Sequence, residues 1–409
     1  MLLLKARTTP VLAAVTAVVA ALLGAAPASG SGRPAPDSPR LAAWSPSMTI
    51  GGPNFDNRTI RMVVHPSIGG HALRLHLSNL RGTTPLTIGA TSVAAQADRA
   101  TAVPGTAHAV TFGHHASVTI PAGAEAVSDP VPMTVTAGRS ILASVYLPNA
   151  TSSATWHSDA FDTTYLSAAG DHTAEAGDGG YIASTTSWYY LSGLDVVPDV
   201  ARGVVVAFGD SITDGYNTPT GAYQRWPDDL ARRLASTSPM GVVDAGIGGN
   251  RVLTDVPNIW QGISATKRFA HDALGQPGVR DVILLEGIND IGNNAGPGGR
   301  PLTAQDLIDG YRNLVGQAHA AGVRIIGATL LPDKGNGYYS DSAEALRQAA
   351  NTWIRTSGAF DGVVDFEKAV ADPADPAELD PRFDSGDHIH PNAAGMQALA
   401  DAVDLGLLR

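Results

Sequence analysis

Four short polar runs hold the side chains best suited to chemistry, and one of them presents a serine, Gly209-Asp210-Ser211. The others are Asp244-Ala245-Gly246-Ile247-Gly248-Gly249-Asn250, Gly287-Ile288-Asn289-Asp290 and Asp387-His388-Ile389-His390. Acyl transfer needs a nucleophile, a base to take its proton, a group that orients the base, and donors aimed at the developing oxyanion. Ser211 can be the nucleophile and His390 the base. Asp387, three residues before His390, can reach round a tight turn to the imidazole and fix its tautomer. Gly249 lets a backbone N–H come close to a substrate, and the Asn289 amide is a second donor. Such a hydrolysis calls for no metal and no organic cofactor. The chain has no cysteine, which excludes thiol catalysis and Cys-ligated metal sites.

Chemistry requires that these runs meet, and the surrounding pattern predicts that they do. Short apolar runs at residues 204–208, 242–243, 282–285, 323–326 and 362–365 read as buried parallel strands. Between them lie helical segments at 226–234, 303–320 (Thr303 as N-cap), 341–355 (Glu344 placed for a capping box) and 392–405. Alternating strand and helix predicts a three-layer α/β/α domain of flavodoxin-like type over residues 199–409. In an open parallel sheet the C-terminal strand ends share the edge at which ligands bind. The first three polar runs each follow a strand and the fourth precedes the last helix, so all four are expected at one cleft.

The first half follows a different grammar. At residues 71–78, Leu73, Leu75 and Leu77 alternate with Arg74, His76 and Ser78. Further β-rich runs at 117–120 and 141–147, punctuated by Gly and Pro, predict an all-β sandwich over residues 42–198. Residues 29–41 read as a Pro/Gly/Ser linker. Ahead of it, Lys5 and Arg7, an apolar run at 11–26 and the small-x-small Ala26-Pro27-Ala28 fit a secretory signal over 1–28, so the expected location is extracellular. No other stretch is long and apolar enough for a membrane span, and stable membrane insertion is not expected. The formal charge is −11 and becomes more negative when Lys5 and Arg7 leave, so nucleic acid is an unsuitable partner.

Beyond the four runs, the longer stretches 207–215 and 286–292, with Arg225-Trp226-Pro227 and Gly246-Ile247-Gly248-Gly249-Asn250-Arg251, resemble the GDSL esterase/lipase family, also called SGNH hydrolases. They are most similar to secreted bacterial esterases associated with xylan degradation. The resemblance covers roughly residues 200–405, and the preceding β region resembles the N-terminal part of long actinobacterial members. It implies Ser211 as nucleophile, with Asp387 and His390 completing a triad. It also implies an oxyanion hole of the Ser211 and Gly249 N–H groups and the Asn289 amide. One departure is Asp244, where the family often carries Asn.

Several residues admit a plainer role. His388 is a rival base with the wrong spacing for the family. Glu286 reads as a buried structural carboxylate paired with Arg225 or Arg251. Asp210 and Asp290 read as serving local turns. The aromatics Trp156, Trp188, Tyr189 and Tyr190 read as sandwich core or interdomain contact rather than a sugar platform. His114-His115 read as adjacent strand residues, which face opposite ways and share no metal. The expected partner is an ester: an acylated polysaccharide first, suggested by a polar rim of Asn217, Asn250-Arg251, Asn293-Asn294 and residues 334–339, or a lipid in a lipase or lysophospholipase. A third reading makes the chain a glycan-binding surface module with a dispensable hydrolase part.

Overall fold

Pairing of apolar strand runs builds the sheet that carries the site. The computed structural model describes residues 39–255 and 260–409. The expected leader and most of the expected linker lie outside these. The parallel strands are β1 (Val204–Gly209), β2 (Gly241–Gly246), β3 (Val279–Leu285), β4 (Arg324–Ala328) and β5 (Gly362–Val364). Their order across the sheet is β2-β1-β3-β4-β5, the doubly wound flavodoxin-like arrangement. Every residue of β1 is buried, as a strand covered on both faces must be.

Among the described residues eight α-helices accompany the sheet: α1 (Ser211–Asp214), α2 (Trp226–Thr237), α3 (Ala265–Phe269), α4 (Ile288–Gly292), α5 (Ala304–Ala320), α6 (Asp341–Thr356), α7 (Phe366–Val370) and α8 (Ala393–Ala402). One group joins α2, α7 and α8, another joins α3, α5 and α6, and the sheet between them completes three layers. Helix α5 starts with the expected cap, Thr303 and Asp306 forming a reciprocal box. At α6 the cap differs from expectation. Ser340 accepts from the Ala343 N–H, while Glu344 turns sideways to pair with Arg347.

The β-rich half is antiparallel. One sheet runs Leu41–Trp44, Leu191–Pro198, Gly70–Ser78, Glu125–Val127. A larger one centres on Arg58–Val64, Ile141–Leu147 and Ala90–Asp98. Leu73, Leu75 and Leu77 point into the same core as Ile60, Met62, Ile141 and Val145, the inner faces of a sandwich. Trp188, Tyr189 and Tyr190 are buried in that core too. His114 and His115 sit in a tight turn closed by a Phe112–His115 bridge rather than on a strand.

The two halves belong to one compact unit, Pro39–Arg409. Their backbones touch: a Cβ on Gly241 would lie 2.6 Å from the Ala42 carbonyl oxygen, so only glycine fits there. A cavity of ≈ 380 Å³ lies between them, lined among others by Trp44, His65, Trp188, Tyr223, Arg225 and Asp244.

Candidate active site

The register of the sheet explains why the polar runs meet. Gly209 at the end of β1 pairs with Gly246 of β2 and Leu285 of β3, so all three strands stop at one level. The chain leaves that level as Asp210-Ser211, Ile247-Gly248-Gly249 and Gly287-Ile288-Asn289. Gly209 is required by space, since a Cβ would collide with the Thr213 hydroxyl and the Leu285 carbonyl. The turn it permits places Ser211 at the first position of α1, where Asp210 caps the helix by accepting from the Ile212 N–H at 2.9 Å.

Ser211 Oγ lies 2.8 Å from His390 Nε2, and His390 Nδ1 lies 2.6 Å from Asp387 Oδ2. Asp387 Oδ1 accepts from the backbone N–H groups of Ile389 and His390 at 3.1 and 2.9 Å, closing the tight turn expected from the three-residue spacing. Burial works to raise the Asp387 carboxyl, but the backbone and ring hydrogen bonds from His390 outweigh it and hold it below the usual carboxylate range. It therefore stays ionised and fixes the proton of the imidazole on Nδ1, leaving Nε2 to accept from Ser211.

The three expected oxyanion donors lie just past the ends of three adjacent strands that stop at one level. Asn289 Nδ2 is buried without a partner, and the Ser211 and Gly249 N–H groups donate no hydrogen bond among the described residues. An unpaired buried donor is costly unless something is to be bound there. Gly249 adopts φ +74°, the left-handed region that favours glycine, and Gln261 packs where a Cβ would go.

His390, not its rival His388, is the histidine in contact with Ser211 Oγ, and His388 Nδ1 bonds Asp384 Oδ2 at 2.6 Å instead. Glu286 forms no ion pair with Arg225 or Arg251, contrary to expectation. Its carboxyl meets that of Asp210 in the interior, with Arg268 the cation opposing both charges. Burial pushes both groups up, and for Glu286 the neighbouring Asp210 charge adds to it. Arg225 instead lies 3.6 Å from Asp244 and donates to the Ala160 carbonyl across the boundary between the halves. Asp290 does more than serve a local turn. It accepts from the Val252 and Leu253 N–H groups at 2.7 and 3.1 Å and so ties the Asn289 loop to the Gly249 loop. Asn250, expected at the rim, is wholly buried and bonded to Arg268.

Four contributors were not singled out for these roles from sequence. Asn217 donates to Asp387 Oδ2 at 2.8 Å. Tyr338 has its hydroxyl 3.4 Å from Asn289 Oδ1, which turns the Asn289 amide so that Nδ2 is the free end. Tyr216 lays its ring 4.7 Å from that of His390. Arg268, 1% exposed, donates to the carbonyls of Gly209 and Ala245 (both 2.8 Å), to Asn250 Oδ1 and to Ser47 Oγ, knitting the strand ends beneath the site.

In a comparison with protein families, residues 207–398 fit the GDSL-like lipase/acylhydrolase family. The chain carries a GDSL-like lipase/acylhydrolase domain. Its activity is that of an ester hydrolase. Solved structures similar to this chain include a carbohydrate acetylesterase from Sinorhizobium meliloti (19% identity, 49% of this chain and 96% of that one, TM-score 0.37). Others are an acetylxylan esterase from Geobacillus stearothermophilus (20% identity, 50% and 93%, TM-score 0.38) and a GDSL-like lipase from Bacteroides thetaiotaomicron (18%, 50% and 88%, TM-score 0.38). A search of curated proteins found no match. No cluster of His, Asp or Glu suited to a metal, and no helix long and apolar enough to cross a membrane, occurs among the described residues.

Proposed function

We propose that this GDSL hydrolase acts outside the cell, after loss of residues 1–28, and removes small acyl groups from hydroxylated substrates, polysaccharide above all. The hydrogen-bonded relay from Ser211 through His390 to Asp387 carries this reading. Ser211 Oγ attacks the ester carbonyl carbon as its proton passes to His390 Nε2. The carbonyl oxygen becomes an oxyanion held by the Ser211 and Gly249 N–H groups and Asn289 Nδ2. Collapse breaks the C–O bond, and His390 returns its proton to the leaving alcohol. Water, deprotonated by His390, then cleaves the acyl-serine and regenerates the hydroxyl.

The side chains around the relay favour a hydroxylated substrate. Asn217, Asn293 and Tyr338 bond directly to triad or oxyanion residues or to one another, and Tyr216 exposes 43% of its surface beside His390. A lipid site would instead present an apolar surface of acyl length. The test is a series of p-nitrophenyl esters from acetate to palmitate, with acetylated xylan, on wild type and Ser211→Ala. Activity should peak at short chains, include the xylan, and fall on the order of 10⁴–10⁶-fold in Ser211→Ala. A peak at long chains would favour a lipase or lysophospholipase. Undiminished hydrolysis in the variant would refute the mechanism.

A further inference from the structure

The β-rich half packs against the helix that begins at Ser211. Strand Ala154–His157 ends beside the hydrolase domain, and the chain then runs through Ser158, Asp159, Ala160 and Phe161 before strand Thr164–Ala169. His157 is buried with Nδ1 2.9 Å from the Ser47 carbonyl and Nε2 3.0 Å from Asp214 Oδ1. Both partners are acceptors, so both ring nitrogens carry protons, and the cation pairs with the last residue of the helix that begins at Ser211. That anchor fixes where residues 158–161 lie. The Ala160 N–H donates to the Thr186 carbonyl at 2.9 Å, the Ala160 carbonyl accepts from Arg225, and the Phe161 carbonyl accepts from the Gly221 N–H at 2.9 Å.

Two side chains of the segment reach the site. Phe161, at φ +45°, is in the left-handed region, which a bulky residue enters only under strain. The Phe161 ring meets Tyr216 edge-on at 6.2 Å, and Tyr216 in turn lies 4.7 Å from the His390 ring. Asp159 Oδ2 lies 3.3 Å from where a Cβ on Gly248 would sit, next to the oxyanion donor Gly249. The leaving oxygen must come within hydrogen-bond reach of His390 Nε2 to receive its proton. The exposed ring beside His390 is Tyr216, and Phe161 packs edge-on against it.

We propose that residues 158–161 of the β-rich half form the alcohol-side wall of the ester cleft, with Phe161 and Asp159 selecting the alcohol. The proposal rests on the Ser211 esterase reading. Two aromatic rings and a carboxylate suit a neutral, hydroxylated alcohol, whose C–H faces stack and whose hydroxyls donate. They repel an anionic alcohol such as a glycerophosphate.

The experiment compares kcat/KM ratios, in which any loss of folded enzyme cancels. Wild type, Phe161→Ala and Asp159→Asn, all full length, are given acetate esters of three alcohols: p-nitrophenol, xylobiose and glycerol 3-phosphate. They are also given p-nitrophenyl butyrate. Phe161→Ala should lower the xylobiose/p-nitrophenol ratio by about tenfold, the scale of one lost packing contact in a binding site. Asp159→Asn should raise the glycerophosphate/xylobiose ratio about fivefold, while the butyrate/acetate ratio stays within twofold in both variants. Alcohol ratios within twofold of wild type, or an acyl ratio that moves as much as they do, would overturn the wall. A wild type inactive on every ester, or matched by Ser211→Ala, would instead defeat the esterase reading beneath it.

Discussion

Asn217 and Tyr338 show how little of this site is left to chance at the level of single atoms. Asp387 Oδ2 accepts from both His390 and Asn217, so the carboxylate is held from two sides and cannot rotate away from the imidazole. A hydrogen bond to a charged group contributes about 1.5–3 kcal/mol. Asn217→Ala should therefore lower kcat for p-nitrophenyl acetate about 10–100-fold with KM nearly unchanged, and Asn217→Asp should not restore it. A KM effect at constant kcat would show that Asn217 binds substrate rather than orienting the triad. Ser211, Gly249, Asn289, Asp387 and His390 were legible in the sequence because each sits in a short polar run next to a predicted element. Asn217 was legible only as a polar rim residue, since its partner lies 170 positions away. Arg268 was hidden for a different reason: an arginine four residues before Asp272 reads as an exposed helix pair, yet both are buried.

At the scale of elements, the four-residue helix α1 is too short to hold itself in place. Asp210 caps one end, and the buried His157–Asp214 pair fastens the other to the β-rich half. Burial opposes the charge on His157, but the Asp214 charge and hydrogen bond raise its pKa to about 9. A histidine raised in the folded state adds stability that is fully present below its unfolded pKa, about 6.5, and is lost as pH rises through 9. His157→Gln should cost about 3–5 kcal/mol in urea unfolding at pH 6, because Asp214 is left buried without its cation. The difference from wild type should shrink at pH 9.5; a gap independent of pH would mean that His157 is held neutral. The five parallel strands and the longer helices were readable from apolar runs, caps and periodicity. Helices α1, α3, α4 and α7, of four or five residues, were not, because so few residues contain no helical period.

For the whole molecule, the change of pattern near Pro198 marks where antiparallel strands give way to the parallel sheet. It does not reveal how far the two parts interlock. Ser47 Oγ accepts from Arg268, the Ala160 carbonyl accepts from Arg225, His157 donates to Asp214, and Phe161 meets Tyr216 edge-on. These links run through charged and polar residues that a sequence assigns to surfaces, and they become buried only when both halves are present. They weigh against a glycan-binding module with a dispensable hydrolase part, since His157 of the β-rich half anchors the helix that begins at Ser211. All of this converges on one oxygen atom, Ser211 Oγ. The most direct test is reaction with diethyl p-nitrophenyl phosphate, followed by peptide mass mapping and assay of p-nitrophenyl acetate hydrolysis. The account predicts one diethylphosphoryl group per chain, on the peptide containing Ser211, with activity lost in step with labelling. Label on another residue, or full hydrolysis by the completely labelled protein, would contradict it.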